Sequence, residues 1–204
     1  MPHVWILSSA IIGYLLGSLP FGYLVARAHG VDIFKVGSGN PGATNVKRVL
    51  GSKAGNTVFA LDALKGALAA AWPLLPFLDV SDARGMGLVG VISAVLGHSF
   101  SMFTKFKGGK GVATAAGGLV ILIPLASLVG AAVWVLTFFI SRYVSLGSVL
   151  AAIAVPAASW LCRNPLSLNL VATALGLFVI IRHRANIKRL LNGTETKFVK
   201  KART

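Results

Sequence analysis

Five stretches of this chain, residues 4–26, 86–104, 111–141, 143–162 and 164–181, contain no Lys, Arg, Asp or Glu. Each approaches or exceeds the ~20 apolar residues that carry a helix across a bilayer. A sixth apolar segment, 54–78, is interrupted by Asp62 and Lys65. The run 111–141 would form a helix of about 46 Å, longer than the ~30 Å hydrocarbon layer. Because Pro124 lies inside it, the run reads as two crossings, the first of them short. Composition agrees: 55% of the residues are hydrophobic and 12% charged, against roughly 25% charged in soluble domains. The expected class is an all-α, polytopic integral membrane protein.

The basic residues set the number of crossings and their direction. Lys and Arg number five in 27–53, three in 105–110, one at Arg142 and eight in 182–204, while the alternate loops hold only Arg84 and Arg163. Cytoplasmic loops carry the excess of Lys and Arg. Seven transmembrane helices, with the N-terminus outside and the C-terminus cytoplasmic, put all four basic groups on one face; six would send the basic tail to the other side. The net charge of +15 therefore reflects topology and anionic lipid, and no nucleic acid is expected as a partner. The first apolar stretch is too long for a signal-peptide core and no Lys or Arg precedes it, so it reads as a retained helix. The single cysteine, Cys162, excludes an internal disulfide and reads as a small apolar side chain. No repeat or linker divides the chain, so residues 1–204 read as one domain.

Polar residues gather in the basic loops. The first, GSGNPGATNVKRVLG, presents Gly37, Ser38, Gly39, Asn40, Gly42, Thr44 and Asn45 ahead of Arg48. Glycine permits positive φ, so successive N–H groups can converge on an anion. A connection of this length joining two spans is usually functional or disordered. The second, GHSFSMFTKFKGGKGVAT, holds His98, Lys107 and Lys110. It resembles a P-loop but is not one, because Lys110 is followed by Gly111 rather than a hydroxyl that could hold Mg²⁺. Two readings of this turn stay open, a phosphate cradle at a helix start and a basic loop at the membrane surface. A helix continuing from His98 would put Ser101 and Met102 on its face, and His98 itself reads first as structural. The third and fourth loops offer Ser145 in YVSLGS and His183, Asn186 and Glu195 in HRANIKRLLNGTE, the latter a basic amphipathic helix leaving the bilayer. Asp62 and Lys65, three residues apart, are expected to form an ion pair bracing their helix.

Four donor-rich elements on one face describe a phosphate-binding cavity. Only Asp32 and Glu195 are expected on that face, too few to hold Mg²⁺ for a phosphotransferase, so neither metal nor other cofactor is expected. Acyltransferases that activate a hydroxyl with His-x₄-Asp are also excluded: the fifth residue after His98 is Phe103 and after His183 is Lys188. An organic-phosphate transporter would need a similar cavity, but at the midplane between repeated halves. A lipid-surface scaffold would be indifferent to the glycine turn so long as total charge were kept.

The three long motifs, with LLGSLPFGYLVAR, LDALKG and YVSLGS, resemble the bacterial acyl-phosphate:glycerol-3-phosphate acyltransferases, the PlsY family, over nearly the whole chain. The resemblance implies a multi-pass enzyme of the bacterial cytoplasmic (inner) membrane, its active site facing the cytoplasm, that moves a fatty acyl group from acyl phosphate to the 1-hydroxyl of glycerol 3-phosphate. Lysophosphatidic acid and phosphate are the implied products, membrane lipid the surroundings, and a soluble acyl-phosphate-producing enzyme a partner. By the same resemblance, Gly37, Ser38, Gly39, Asn40 and Gly42, helped by Ser145, cradle the acyl phosphate, and Thr44 and Asn45 belong to the substrate-binding set. Arg48, Lys107, His183 and Asn186 hold glycerol 3-phosphate, Lys110 and His98 shape the site, and Glu195 caps the third motif. Ser38, Asn40, Lys107 and His183 are the residues it places nearest the chemistry.

Overall fold

The computed structural model describes residues 2–198. Among them every regular element is helical, and the chain divides into two compact units, one up to Leu122 and one from Ile123 onward.

The first unit opens with α1 (Pro2–Ser18) and α2 (Phe21–Ala28). They form one apolar stretch, His3–Ala28, long enough to cross a membrane. It is not the unbroken helix its charge-free sequence suggests: Pro20 has no N–H to donate and restricts the residue before it, so the helix stops at Ser18 and restarts at Phe21. An irregular segment leads to α3 (Ala43–Leu50) and then α4 (Ser52–Ala71). This long connection is tied down by its own small core, in which Ile33 and Val46 are fully buried with Ala26, Ala54 and Val58. α5 (Ala83–Ser99) is capped by Asp82, which accepts from the Gly85 N–H at 3.0 Å, and α6 (Val112–Leu122) ends the unit. The expected continuation of helix past His98 does not occur. The chain turns at Phe100, so Ser101 is buried while Met102 is half exposed.

Small residues let these helices approach closely. A Cβ at Gly13 would strike the Gly90 carbonyl and one at Gly17 the Ala94 carbonyl, joining α1 to α5. A Cβ at Gly66 would strike the Thr114 carbonyl and one at Gly117 the Ala63 carbonyl, joining α4 to α6. In a bilayer apolar surface alone gives helices little reason to associate, so close van der Waals approach over such residues is the main attraction.

The second unit contains α7 (Pro124–Ser141), α8 (Val144–Leu161), α9 (Leu166–Arg182) and α10 (Arg184–Leu191). Pro124 begins α7, so the run 111–141 breaks where its proline requires. Within α8, Pro156 cannot bond the carbonyl of Ala152, and Gly176 on α9 lies directly against that carbonyl. Among the described residues five stretches are long and apolar enough to span: His3–Ala28, Ser52–Leu74, Ala83–Thr104, Pro124–Ser141 and Val144–Leu161. Leu166–Arg182 with Arg184–Leu191, bent by 59°, makes a sixth if the pair counts as one, and Val112–Leu122 is a shorter apolar helix.

Gly17→Leu is expected to lower the melting midpoint of the purified protein in detergent, since overpacking a close contact costs about 1–3 kcal/mol. Leu15→Phe, on a half-exposed position of the same helix, should leave the midpoint unchanged; equal effects would remove the close-approach account.

Candidate active site

In the first unit the glycine turn is built by its own side chains. Gly37 and Gly39 have φ of 59° and 65°, the left-handed region that an L side chain resists. The Asn45 amide, 2% exposed, spans the turn: Oδ1 accepts from the Ser38 N–H at 2.9 Å and Nδ2 donates to the Val36 carbonyl at 3.1 Å. Asn40 Oδ1 accepts from the Gly42 N–H at 2.9 Å. The turn thus enters α3 at Gly42, with Thr44 in the first helical turn and Arg48, exposed, one turn farther on. Asn45 and Asn40, grouped from the sequence with the anion-holding residues, show here the bonds that shape the turn.

The lysine turn folds back on the end of α5. Thr104 Oγ1 donates to the Lys107 carbonyl at 2.7 Å, the Phe106 N–H bonds the Ser101 carbonyl at 2.9 Å, and the Gly109 N–H bonds the His98 carbonyl at 3.1 Å. Ser101 Oγ donates to the Ser18 carbonyl at 2.5 Å, fastening the same turn to the end of α1. Lys105 and Phe106 lie at φ of 53° and 60°, and Gly111, at 82°, releases the chain into α6. One cleft is lined by Pro41 of the glycine turn, by Lys107, Gly108 and Gly109 of the lysine turn, and at its base by Asp62, Lys65 and His98. Lys110 is half-buried beside it in sequence.

At that base lies a partner that local spacing missed. No acid follows His98 at five residues, yet Asp62 Oδ1, from α4, stands 3.5 Å from His98 Nδ1. The expected ion pair is present, with Lys65 Nζ 2.8 Å from the same oxygen. The carboxylate therefore reaches the imidazole from another helix.

The second unit gathers Ser145, Asn186 and Glu195 around one carboxylate. Ser145 Oγ and Asn186 Nδ2 each donate to Glu195 Oε1 at 2.7 Å, and Arg189 Nε donates to Oε2 at 2.7 Å. Gly193, at φ 68°, turns the chain after α10 so that the Thr194 N–H bonds the Arg189 carbonyl and Glu195 comes back over the helix. His183 is 4% exposed at the bend between α9 and α10, with Nδ1 2.8 Å from the Val179 carbonyl. A carbonyl only accepts, so Nδ1 carries the proton and Nε2 is the other pole of the ring. Arg189 is a member of this cluster that the sequence pattern did not single out. Partial burial disfavours the Glu195 charge, but hydrogen bonds from Ser145, Asn186 and Arg189, with the Arg189 charge, outweigh it and hold the carboxyl below its ordinary range.

A family model described as glycerol-3-phosphate acyltransferase matches residues 7–193. The chain is 46% identical over 188 residues to the glycerol-3-phosphate acyltransferase of Bacillus subtilis, covering 92% of this chain and 94% of that protein. It is 43% identical over 197 residues to the protein of the same name from Allorhizobium ampelinum, covering 96% of this chain and 93% of that one. Among solved structures, the glycerol 3-phosphate form of PlsY (YgiH), an integral membrane glycerol 3-phosphate acyltransferase, matches with a TM-score of 0.88 at 42% identity, covering 95% of this chain and 96% of that chain. Its lysophosphatidic acid form matches with a TM-score of 0.85.

A carboxyl with a depressed folded pKa stabilises the fold above its unfolded pKa and loses that contribution as pH falls through the folded value. The melting midpoint of the wild type should therefore decline as pH is taken below roughly 4. Glu195→Gln should start lower at neutral pH and show a shallower acid decline; parallel curves would show that the carboxylate's charge is not what the cluster uses.

Proposed function

The chain belongs to the glycerol-3-phosphate acyltransferase family, an all-helical integral membrane enzyme of phospholipid synthesis, and from that premise we propose the donor, the topology and the residues that carry the reaction. The donor is an acyl phosphate and the acceptor oxygen is the 1-hydroxyl of glycerol 3-phosphate. That oxygen attacks the acyl carbon, the bond from the acyl carbon to the phosphate oxygen breaks, and the departing phosphate takes the hydroxyl proton. Lysophosphatidic acid and inorganic phosphate result. A mixed anhydride is already activated, so positioning and charge stabilisation can supply most of the catalysis.

The glycine turn of Gly37, Ser38, Gly39 and Gly42, with the start of α3 at Thr44, holds the acyl phosphate. The N–H groups of Ser38, Gly39 and Gly42 are bonded within the turn and keep its shape with Asn40 and Asn45, so the phosphate is met by the Ser38 hydroxyl and the helix start, and by Ser145 once its O–H leaves Glu195. Arg48, Lys107, His183 and Asn186 hold glycerol 3-phosphate, with Lys110 and His98 shaping the lysine turn and Glu195 setting Asn186 and Ser145. Arg and Lys suit two substrates that both carry phosphate. The observation that carries this reading is the likeness, at 42% identity over 95% of this chain, to a PlsY structure in its glycerol 3-phosphate form; in the first unit Pro41 of the glycine turn and Lys107 of the lysine turn line one small cleft.

Seven crossings with the N-terminus outside follow from the charge distribution if α6 and α9 each count as a crossing; residues 1–204 act as one domain, and the family resemblance implies the bacterial inner membrane. The four basic loops and the chemistry then face the cytoplasm, where a soluble enzyme that makes acyl phosphate can deliver its product.

The purified protein in detergent, given glycerol 3-phosphate, is expected to make lysophosphatidate from palmitoyl phosphate and not from palmitoyl-CoA or palmitoyl carrier protein; the reverse pattern would overturn the donor. Arg48→Ala and Lys107→Ala should each raise KM for glycerol 3-phosphate by about tenfold or more, as losing a charged hydrogen bond of roughly 1.5–3 kcal/mol requires. Unchanged KM in both would remove those roles.

A further inference from the structure

The buried charges of the first unit join the break in the first span to the lysine turn. Asp62 and Lys65 are each 3% exposed in their side chains and paired at 2.8 Å. Lys65 Nζ also donates at 2.8 Å to the carbonyl of Leu19, next to Pro20 where the first span is interrupted, and stands 5.5 Å from the Phe21 ring. On the other side, Asp62 Oδ1 lies 3.5 Å from His98 Nδ1. His98 in turn meets Gly109 twice, by its carbonyl at 3.1 Å and by Nε2, with which a Cβ at Gly109 would collide.

A buried ion pair is a poor source of stability, because desolvation offsets most of the attraction. At membrane depth the cost rises further. What this cluster does provide is fixed geometry: a carboxylate with an ammonium on one side and an imidazole on the other holds three helices in one arrangement, and the imidazole presses on a glycine of the lysine turn.

We propose that Asp62, Lys65 and His98 are positioning residues for acyl transfer, with His98 the abutment on which the lysine turn seats so that Lys107 meets the phosphate of the acceptor at a set depth. The proposal rests on the substrate assignment above. It makes His98 neither base nor ligand; the residue acts through Gly109 and the turn.

Removing Asp62 alone strands a buried ammonium and can prevent folding, so the informative variants are Asp62→Asn combined with Lys65→Met, which removes both charges, and His98→Asn, Gly109→Ala and their combination, which touch neither. KM and kcat would be measured for both substrates in the full-length protein, together with hydrogen exchange of residues 105–111. The expected result is a KM for glycerol 3-phosphate raised about tenfold, within the range a small misplacement of a binding group produces, with KM for acyl phosphate unchanged. Exchange in 105–111 should quicken about tenfold as the turn loosens while α4 and α5 stay protected. His98→Asn and Gly109→Ala should fail to add, because they break one contact. Unchanged KM and exchange in folded variants, or additive effects of the two substitutions, would overturn the proposal. A wild type that transfers no acyl group would instead overturn the substrate assignment, and hydrogen exchange would still decide whether His98 seats the turn.

Discussion

A bilayer offers no water to a freed backbone carbonyl, so any break in a spanning helix must be answered by another part of the protein. Pro20 makes such a break: the Leu16 carbonyl takes the Leu19 N–H at 3.2 Å, and the Leu19 carbonyl takes the Phe21 N–H at 3.1 Å and, from α4, the Lys65 ammonium at 2.8 Å. The remaining ammonium charge calls for Asp62, and the carboxylate brings His98 within reach. α2 leaves α1 at a fixed place, the 29–42 connection starts from a fixed end, and Pro41 comes against Gly22 so closely that a Cβ there would collide with its carbonyl. The small core of Ile33, Val46 and Val58 then holds the glycine turn over α4.

The two units present donors by different means. In the first, the backbone does most of it: glycines at positive φ set the turn, the Ser38, Gly39 and Gly42 N–H groups are bonded within it, and Asn45 fixes it with both ends of its amide, so that the Ser38 hydroxyl and the start of α3 are held in place. Such a surface is preorganised, so it holds charge without rearranging when charge arrives. In the second, side chains do it. Glu195 only accepts: it takes up the single Ser145 O–H and fixes the Asn186 amide and the Arg189 guanidinium, each of which has more than one N–H.

Much of what depended on local spacing was readable from the chain, the break at Pro20 excepted. The charge-free runs became helices, Pro124 divided the longest run, and the i, i+3 spacing of Asp62 and Lys65 became an ion pair. The motif residues Ser145, Asn186 and Glu195 came together as one cluster. What depended on tertiary register was not readable. A search for an acid five residues beyond His98 cannot find Asp62, which arrives from another helix. Nor does helical periodicity say that α5 stops at Ser99; the end is set by Ser101, whose hydroxyl bonds the Ser18 carbonyl of α1. The number of crossings is the remaining difference: α6 is 11 residues long, so length alone counts five or six spans where charge parity gives seven.

If lysine, arginine and oriented N–H groups stabilise the phosphate charge by themselves, acyl transfer needs no divalent cation. The direct measurement is the initial rate of lysophosphatidate formation from acyl phosphate by protein stripped with excess EDTA, with and without added Mg²⁺. The rate should be unchanged by chelation and by the metal; a rate that collapses on chelation and returns with Mg²⁺ would contradict a site built from donors alone.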